Sequence, residues 1–326
     1  MSGAIGRRAA MFSGAMAFAA PAVARAAWQS RPVTLVHGFG AGGTADGVAR
    51  ILAEGLSSRL GLTFVVEARP GAGGTIASRS VAKGSSPNGH TLVLLTGGHT
   101  VAAAIYRSLP YDTLNDFTYV CLSGYGGPFV LFVARDSALR TPADVIAAAK
   151  ARPGALSFGS SGVGTTGHLT IELFAGRAGI EMQHVPYRDS AQPAIDLATR
   201  RLDLLVANLG SVKSLVDSGD IRPIGVSSTE RFEPLPGVPA FAEEGLPGFD
   251  VTTYYGIAGP RGLPDDVVAD LVKATREVMA DPVLTARLRS LFTYPLTSTP
   301  QEFNARIAGE VASWTEVVQR AGLERL

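Results

Sequence analysis

A short apolar run, a glycine-rich turn and a helical pattern follow one another twice in this chain, about 120 residues apart. The first turn is Gly38-Phe39-Gly40-Ala41-Gly42-Gly43-Thr44-Ala45-Asp46, after Val33 to Val36. The second is Gly159-Ser160-Ser161-Gly162-Val163-Gly164-Thr165-Thr166-Gly167-His168, after Leu156 to Phe158. Each is a strand end that runs through a turn into a helix start. There the first backbone N–H groups of the helix have no partner and converge on one spot, with the positive end of the helix dipole behind them. One such turn suits a small anion, and two on different bodies suit a small anion held between them.

The same alternation runs along the rest of the chain. Strand-like runs fall at 33–37, 63–67, 91–95, 118–122, 129–134, 156–158, 183–186, 203–207, 222–226 and 251–258. Helical patterns fall at 44–60, 74–83, 98–106, 141–151, 165–178, 190–200, 210–218, 264–280, 282–291 and 300–321. In the first helix Val48, Leu52 and Leu56 recur on one face. Strands alternating with helices predict an α/β architecture with mostly parallel sheets. The extended stretches Gly127 to Val133 and Phe249 to Ile257 bracket the middle third. If both cross between bodies, one lobe is discontinuous, built from 27–128 and 253–326, and the other is 129–252. The crossings then form a hinge, with a ligand cleft between the two glycine turns.

Residues 1–26 read as an export signal: Arg7 and Arg8, the acid-free apolar run Ala9 to Val23, then Ala24-Arg25-Ala26 as a cleavage site. The run is short for a membrane span, so a cleaved signal is expected over an anchor. Arg7-Arg8 raises twin-arginine export, but the following residues favour the general secretory route. The protein would then be periplasmic. The whole chain carries 29 basic and 28 acidic residues. Three of the arginines lie in the signal, so the remainder is close to neutral. Nothing in that balance points to nucleic acid or an anionic membrane, and any anion site must be local.

Several catalytic readings are weak. The single cysteine, Cys121, sits in the apolar run Tyr119 to Leu122 and reads as a buried small hydrophobe over a nucleophile. The five histidines show no zinc spacing, and no metal or cofactor is expected. Gly38, Gly40 and Gly43 do spell G-x-G-x-x-G, with Glu67 at the end of the next strand, so a secreted dinucleotide-dependent oxidoreductase is an alternative. Against it stand the export signal, Asp46 in the first helical turn, and a second match at Gly162, Gly164 and Gly167 in a chain with 38 glycines. A G-x-S-x-G elbow would need glycine where Val163 stands, and His168 has no evident acid partner for serine catalysis.

A set of motifs in fixed order resembles a known family. They are Arg31 to Val36 with Phe39 to Asp46; Val66 to Gly74; Ser86 to Leu92; Leu109-Pro110-Tyr111-Asp112; Ser160 to Leu169; Val185-Pro186-Tyr187; and Leu235 to Pro239. From about residue 30 onward the chain is similar to the Bug-type solute-binding receptors of tripartite tricarboxylate transporters. The resemblance implies a two-lobed periplasmic-binding-protein fold of the type II kind, with two crossover strands, and no catalysis. It implies a small carboxylate ligand, delivered to a permease with one large and one small membrane subunit; a membrane sensor kinase is an alternative recipient. Carried onto this chain, it puts Phe39, Gly40, Ala41, Gly42, Gly43, Thr44 and Asp46 on one side of the ligand. Ser160, Ser161, Gly164, Thr165, Thr166 and His168 lie on the other, with Tyr187, Asn208 and Tyr255 from later strand ends and the return crossing. The chain departs from the family pattern at His37, Gly40 and Arg188-Asp189. His37 either packs behind the first turn or donates to the ligand. Asp46 either turns back to its own helix start or meets a ligand ammonium. His168 either braces its helix or faces the ligand.

Overall fold

The computed structural model describes residues 28, 31–189, 191–320 and 324–326. The expected signal, 1–26, lies outside the described residues. Two sheets carry the architecture. The first runs in the order β11-β4-β10-β3-β1-β2, from β1 (Val33–His37), β2 (Phe64–Ala68), β3 (Thr91–Thr96), β4 (Phe117–Pro128), β10 (Thr252–Pro260) and β11 (Thr293–Tyr294). The second runs β7-β6-β8-β5-β9, from β5 (Val130–Ala134), β6 (Ser157–Ser160), β7 (Gln183–Pro186), β8 (Leu204–Ala207) and β9 (Ile221–Val226). Strands that alternate with helices pair in parallel: β1 with β2 and β3, and β6 with β7 and β8. The crossing strands pair antiparallel, β10 with β3 and β4, and β5 with β8 and β9.

Helices cover both sheets. Those used below are α1 (Thr44–Leu60), α2 (Thr75–Ala82), α3 (Gly98–Ile105), α4 (Pro142–Ala151), α5 (Thr166–Ala178), α6 (Ala191–Ala198), α7 (Leu209–Asp217), α8 (Asp265–Ala280), α9 (Pro282–Ser290) and α10 (Pro300–Arg320). The predicted stripe Val48, Leu52 and Leu56 is buried in a core with Leu35, Leu92, Leu271 and Val278. The second sheet has its own core, in which Phe241 meets Phe174 at a tilt, ring centroids 4.9 Å apart, and Phe249 edge-to-face at 5.1 Å.

Only Phe129 separates β4 of the first sheet from β5 of the second, and the chain returns at Val251 into β10. Ser227, fully buried, ties the two passages together. Its Oγ accepts from Phe129 N at 2.8 Å and donates to Val251 O at 2.6 Å. Its N–H donates to Phe129 O at 2.9 Å, and its carbonyl accepts from Val251 N at 2.7 Å. A third apolar group, Val101, Ala104 and Ile105 of α3, Leu169 of α5 and Val318 of α10, joins the two lobes directly. Cys121 is buried in the first core, and burial pushes its thiol up to about 11, which leaves it protonated and inert.

Candidate ligand-binding cleft

Four helix starts meet between the sheets. α1 and α3 belong to the first lobe; α5 and α7 belong to the second. Their first residues line a cleft with an empty volume of ≈ 570 Å³, part of it open to solvent. The N-cap positions of α1, α3 and α7 are Gly43, Gly97 and Asn208, and none offers a side-chain bond to its own helix. Two helices that face elsewhere are closed by side chains: Thr141 and Asp144 form a capping box on α4, and Asp281 accepts from Val283 N and Leu284 N on α9; α2 and α8 are not. Where the helices converge, Thr44 N reaches only Ser211 Oγ of the other lobe, at 3.4 Å, and the dipoles behind the helix starts favour negative charge. Thr165, at α5, does cap, accepting from His168 N at 3.3 Å.

Of the residues expected at the ligand, the cleft is lined by Phe39, Gly40, Gly43, Thr44, Ser161, Thr165, Thr166, Asn208 and Tyr255. Ala41 and Gly42 form the exposed outer lip of loop one. Asp46, Ser160, Gly164, His168 and Tyr187 stand behind the wall, and their partners explain why. Asp46 accepts from Gly42 N at 3.0 Å and Arg50 Nε at 2.9 Å, with His37 Nε2 3.2 Å away. Burial opposes its charge, but the Arg50 and Gly42 bonds outweigh this and hold its carboxyl below the usual range. His37 is fully buried; desolvation lowers it despite Asp46, so it is neutral and packs behind the loop. Of the two dispositions open for Asp46 and for His37, the structure has the inward, bracing one.

Loop two is braced in the same manner. Ser160 Oγ donates to Gly162 O at 3.2 Å and sits 2.7 Å from His184 Nε2. His168 Nδ1 accepts from Gly164 N at 3.3 Å, and its ring stacks on His184 with centroids 4.0 Å apart. Burial first, and then the neighbouring His168, lower His184 to about 3. Tyr187 turns its hydroxyl away to donate to Asp196 at 2.8 Å.

Thr96, Gly98, Phe129, Gly167, Asp189, Ser211 and Thr253 also line the cleft. Thr96 to Gly98 and Asn208 to Ser211 repeat the signal of the two longer turns, a strand end, a glycine and a helix start, in weaker form. Phe129 and Thr253 enter only because both crossing strands run past the cleft. The lobes touch across it. Thr44 Oγ1 lies 2.8 Å from Ser211 Oγ, and Tyr106 Oη donates to Val163 O at 3.3 Å. The loop between β2 and α2 also reaches loop two: Gly73, at φ 63°, has no room for a side chain, since a Cβ would lie 2.9 Å from Val163 O.

A two-lobed fold with amide-lined walls is shared by many binding proteins, and comparison with known chains narrows it. The family model described as the tripartite tricarboxylate transporter family receptor matches residues 48–323. This chain belongs to that receptor family. Its relatives include a protein encoded in the tcbD-tcbE intergenic region of a Pseudomonas species, 36% identical over 90% of this chain and 87% of the relative. Protein BugT of Bordetella pertussis is 30% identical over 96% of this chain and 95% of its own. Among solved structures, R. palustris Rpa4515 with adipate has a TM-score of 0.86 at 36% identity, covering 92% of this receptor and 100% of that chain. MatC from Rhodopseudomonas palustris with bound malate scores 0.83 at 27% identity, over 89% and 99%.

The receptor is thus a solute-binding protein and not an enzyme. The oxidoreductase alternative is overturned: the family is a receptor family. Glu67, which a dinucleotide site would use, pairs with Arg69 at 2.7 Å and does not line the cleft.

Proposed function

We propose that this receptor captures a small organic acid in the periplasm and hands it to a tripartite permease of one large and one small membrane subunit. The observation that carries the reading is the convergence of the starts of α1, α3 and α7, whose N-cap residues offer no side-chain bond to their own helices. Among the described residues no lysine, arginine or histidine lines the cleft, so a bound carboxylate would meet neutral donors there. Several N–H bonds suffice to keep such a carboxylate ionised. Thr44, Ser161, Thr166, Asn208 and Ser211 add hydroxyl and amide donors from both lobes. Phe39, Gly40, Gly43, Thr165 and Tyr255 shape the walls. Asp46, Ser160, Gly164, His168 and Tyr187 act through the loops that they hold. The moving bodies are residues 27–128 with 253–326, against 129–252. Export through residues 1–26 by the general secretory route completes the scheme.

The dicarboxylates in Rpa4515 and MatC support this class of ligand. Calorimetry with adipate, malate, succinate and aspartate tests it. Binding of at least one acid, weakened in Asn208→Ala, is expected; binding of dinucleotides with no response to any acid would sink it.

A further inference from the structure

Asp189 is the one acidic side chain among the described residues that line the cleft. It comes from the second lobe, at the turn between β7 and α6, and faces Gly40 of the first. Its Oδ1 accepts from Ala191 N at 2.9 Å and Gln192 N at 3.2 Å, which fixes the carboxylate on the start of α6. The second oxygen, Oδ2, is directed to loop one: a Cβ on Gly40 would lie 3.3 Å from it and 3.0 Å from Asp189 Cβ. Glycine at 40 is what makes room for the acid. Asp189 has no ion pair among the described residues, and its neighbour Arg188 is exposed.

A fixed negative charge in a cleft built to receive a carboxylate has a direct consequence for the ligand. Its second end, if it lies against Asp189, cannot also be a carboxylate without like-charge repulsion in a partly desolvated space. We propose that Asp189 is a specificity-determining residue that selects organic acids carrying a cationic nitrogen at the end remote from the bound carboxylate, over dicarboxylates of the same length. The inference rests on the carboxylate-receptor reading above. The ammonium docks on Asp189 Oδ2 between the lobes, so it is held only when they close.

Asp189→Asn tests this with the cap retained, because the amide oxygen still accepts from Ala191 N and Gln192 N. Calorimetry compares adipate with aminocaproate, and succinate with γ-aminobutyrate, on both forms of the purified receptor. The native form is expected to bind the amino acid of a pair more tightly. The variant is expected to shift the ratio of affinities towards the dicarboxylate by at least about tenfold, the scale of one partly solvated charge pair. Binding of both pairs with an unchanged ratio overturns the role of Asp189 alone. No binding of any of the four overturns this proposal together with the carboxylate reading.

Discussion

Asp46 stands behind the cleft wall and braces the first glycine turn. Its carboxylate joins the tip of loop one, through Gly42 N, to Arg50 on the next turn of α1. Replacing it with asparagine keeps an acceptor for Gly42 and removes the charge facing Arg50. The cost to stability should be about 1–3 kcal/mol, read as a lowered melting temperature. Affinities for aspartate and succinate should fall by the same factor. A loss confined to aspartate would put a ligand ammonium on Asp46 and refute the bracing role. Thr44 and Ser211 work the other way, through a contact made between lobes. Thr44→Val removes one hydroxyl of the pair and should weaken ligand by about 0.5–1.5 kcal/mol, mostly as faster dissociation measured by stopped flow. These roles divide sharply in legibility. Thr44, Ser161 and Thr166 were readable because they sit in glycine turns at helix starts. The bracing position of Asp46 and His168 was left open, because which way a first-turn side chain swings depends on partners such as His37 and His184, far off in sequence.

Loop two stands on a pair of stacked imidazoles, and that gives the element a pH response. His184 in the folded chain takes its proton only near 3, against 6.5 in an unfolded one. His99, fully buried, is also lowered to about 3 by desolvation. The unfolded chain therefore binds protons first. Stability is whole above about 6.5 and declines as pH falls towards 3. Melting temperature should drop steadily between those limits, and His184→Gln should flatten the drop; a parallel curve in the variant would remove His184 from the account. The strands and helices themselves were legible from apolar period, because burial on two sheets imposes it. β4 is the exception: it runs on to Pro128 where the sequence predicts an end at 122. Its glycine-rich tail reads as a turn, yet Gly126 is needed flat against β10, where a Cβ would lie 3.0 Å from the Tyr255 ring and 2.8 Å from Thr253 Cγ2. The two-residue β11 follows from the same extension, since its partners are Gly126 and Tyr125. Sequence carries no signal for a ring that a distant strand supplies.

At the scale of the molecule, Ser227 binds both passages between the lobes with four hydrogen bonds. Ser227→Ala removes the bond from Phe129 N and the one to Val251 O. It leaves a buried amide and a buried carbonyl short of a partner, at a cost of about 1–3 kcal/mol by chemical denaturation. A change within experimental error would show that the passages hold without it. The apolar group of α3, α5 and α10 lies one turn behind the cleft residues Gly98 and Thr166, and Leu169 in it crosses from lobe to lobe. Close-packed apolar contacts resist sliding, so this group ties the lobes together behind the cleft. The cleft then has a spine and a fore-edge. Ala41 and Gly42 form its exposed lip. The C-terminal helix belongs to the spine, through Val318.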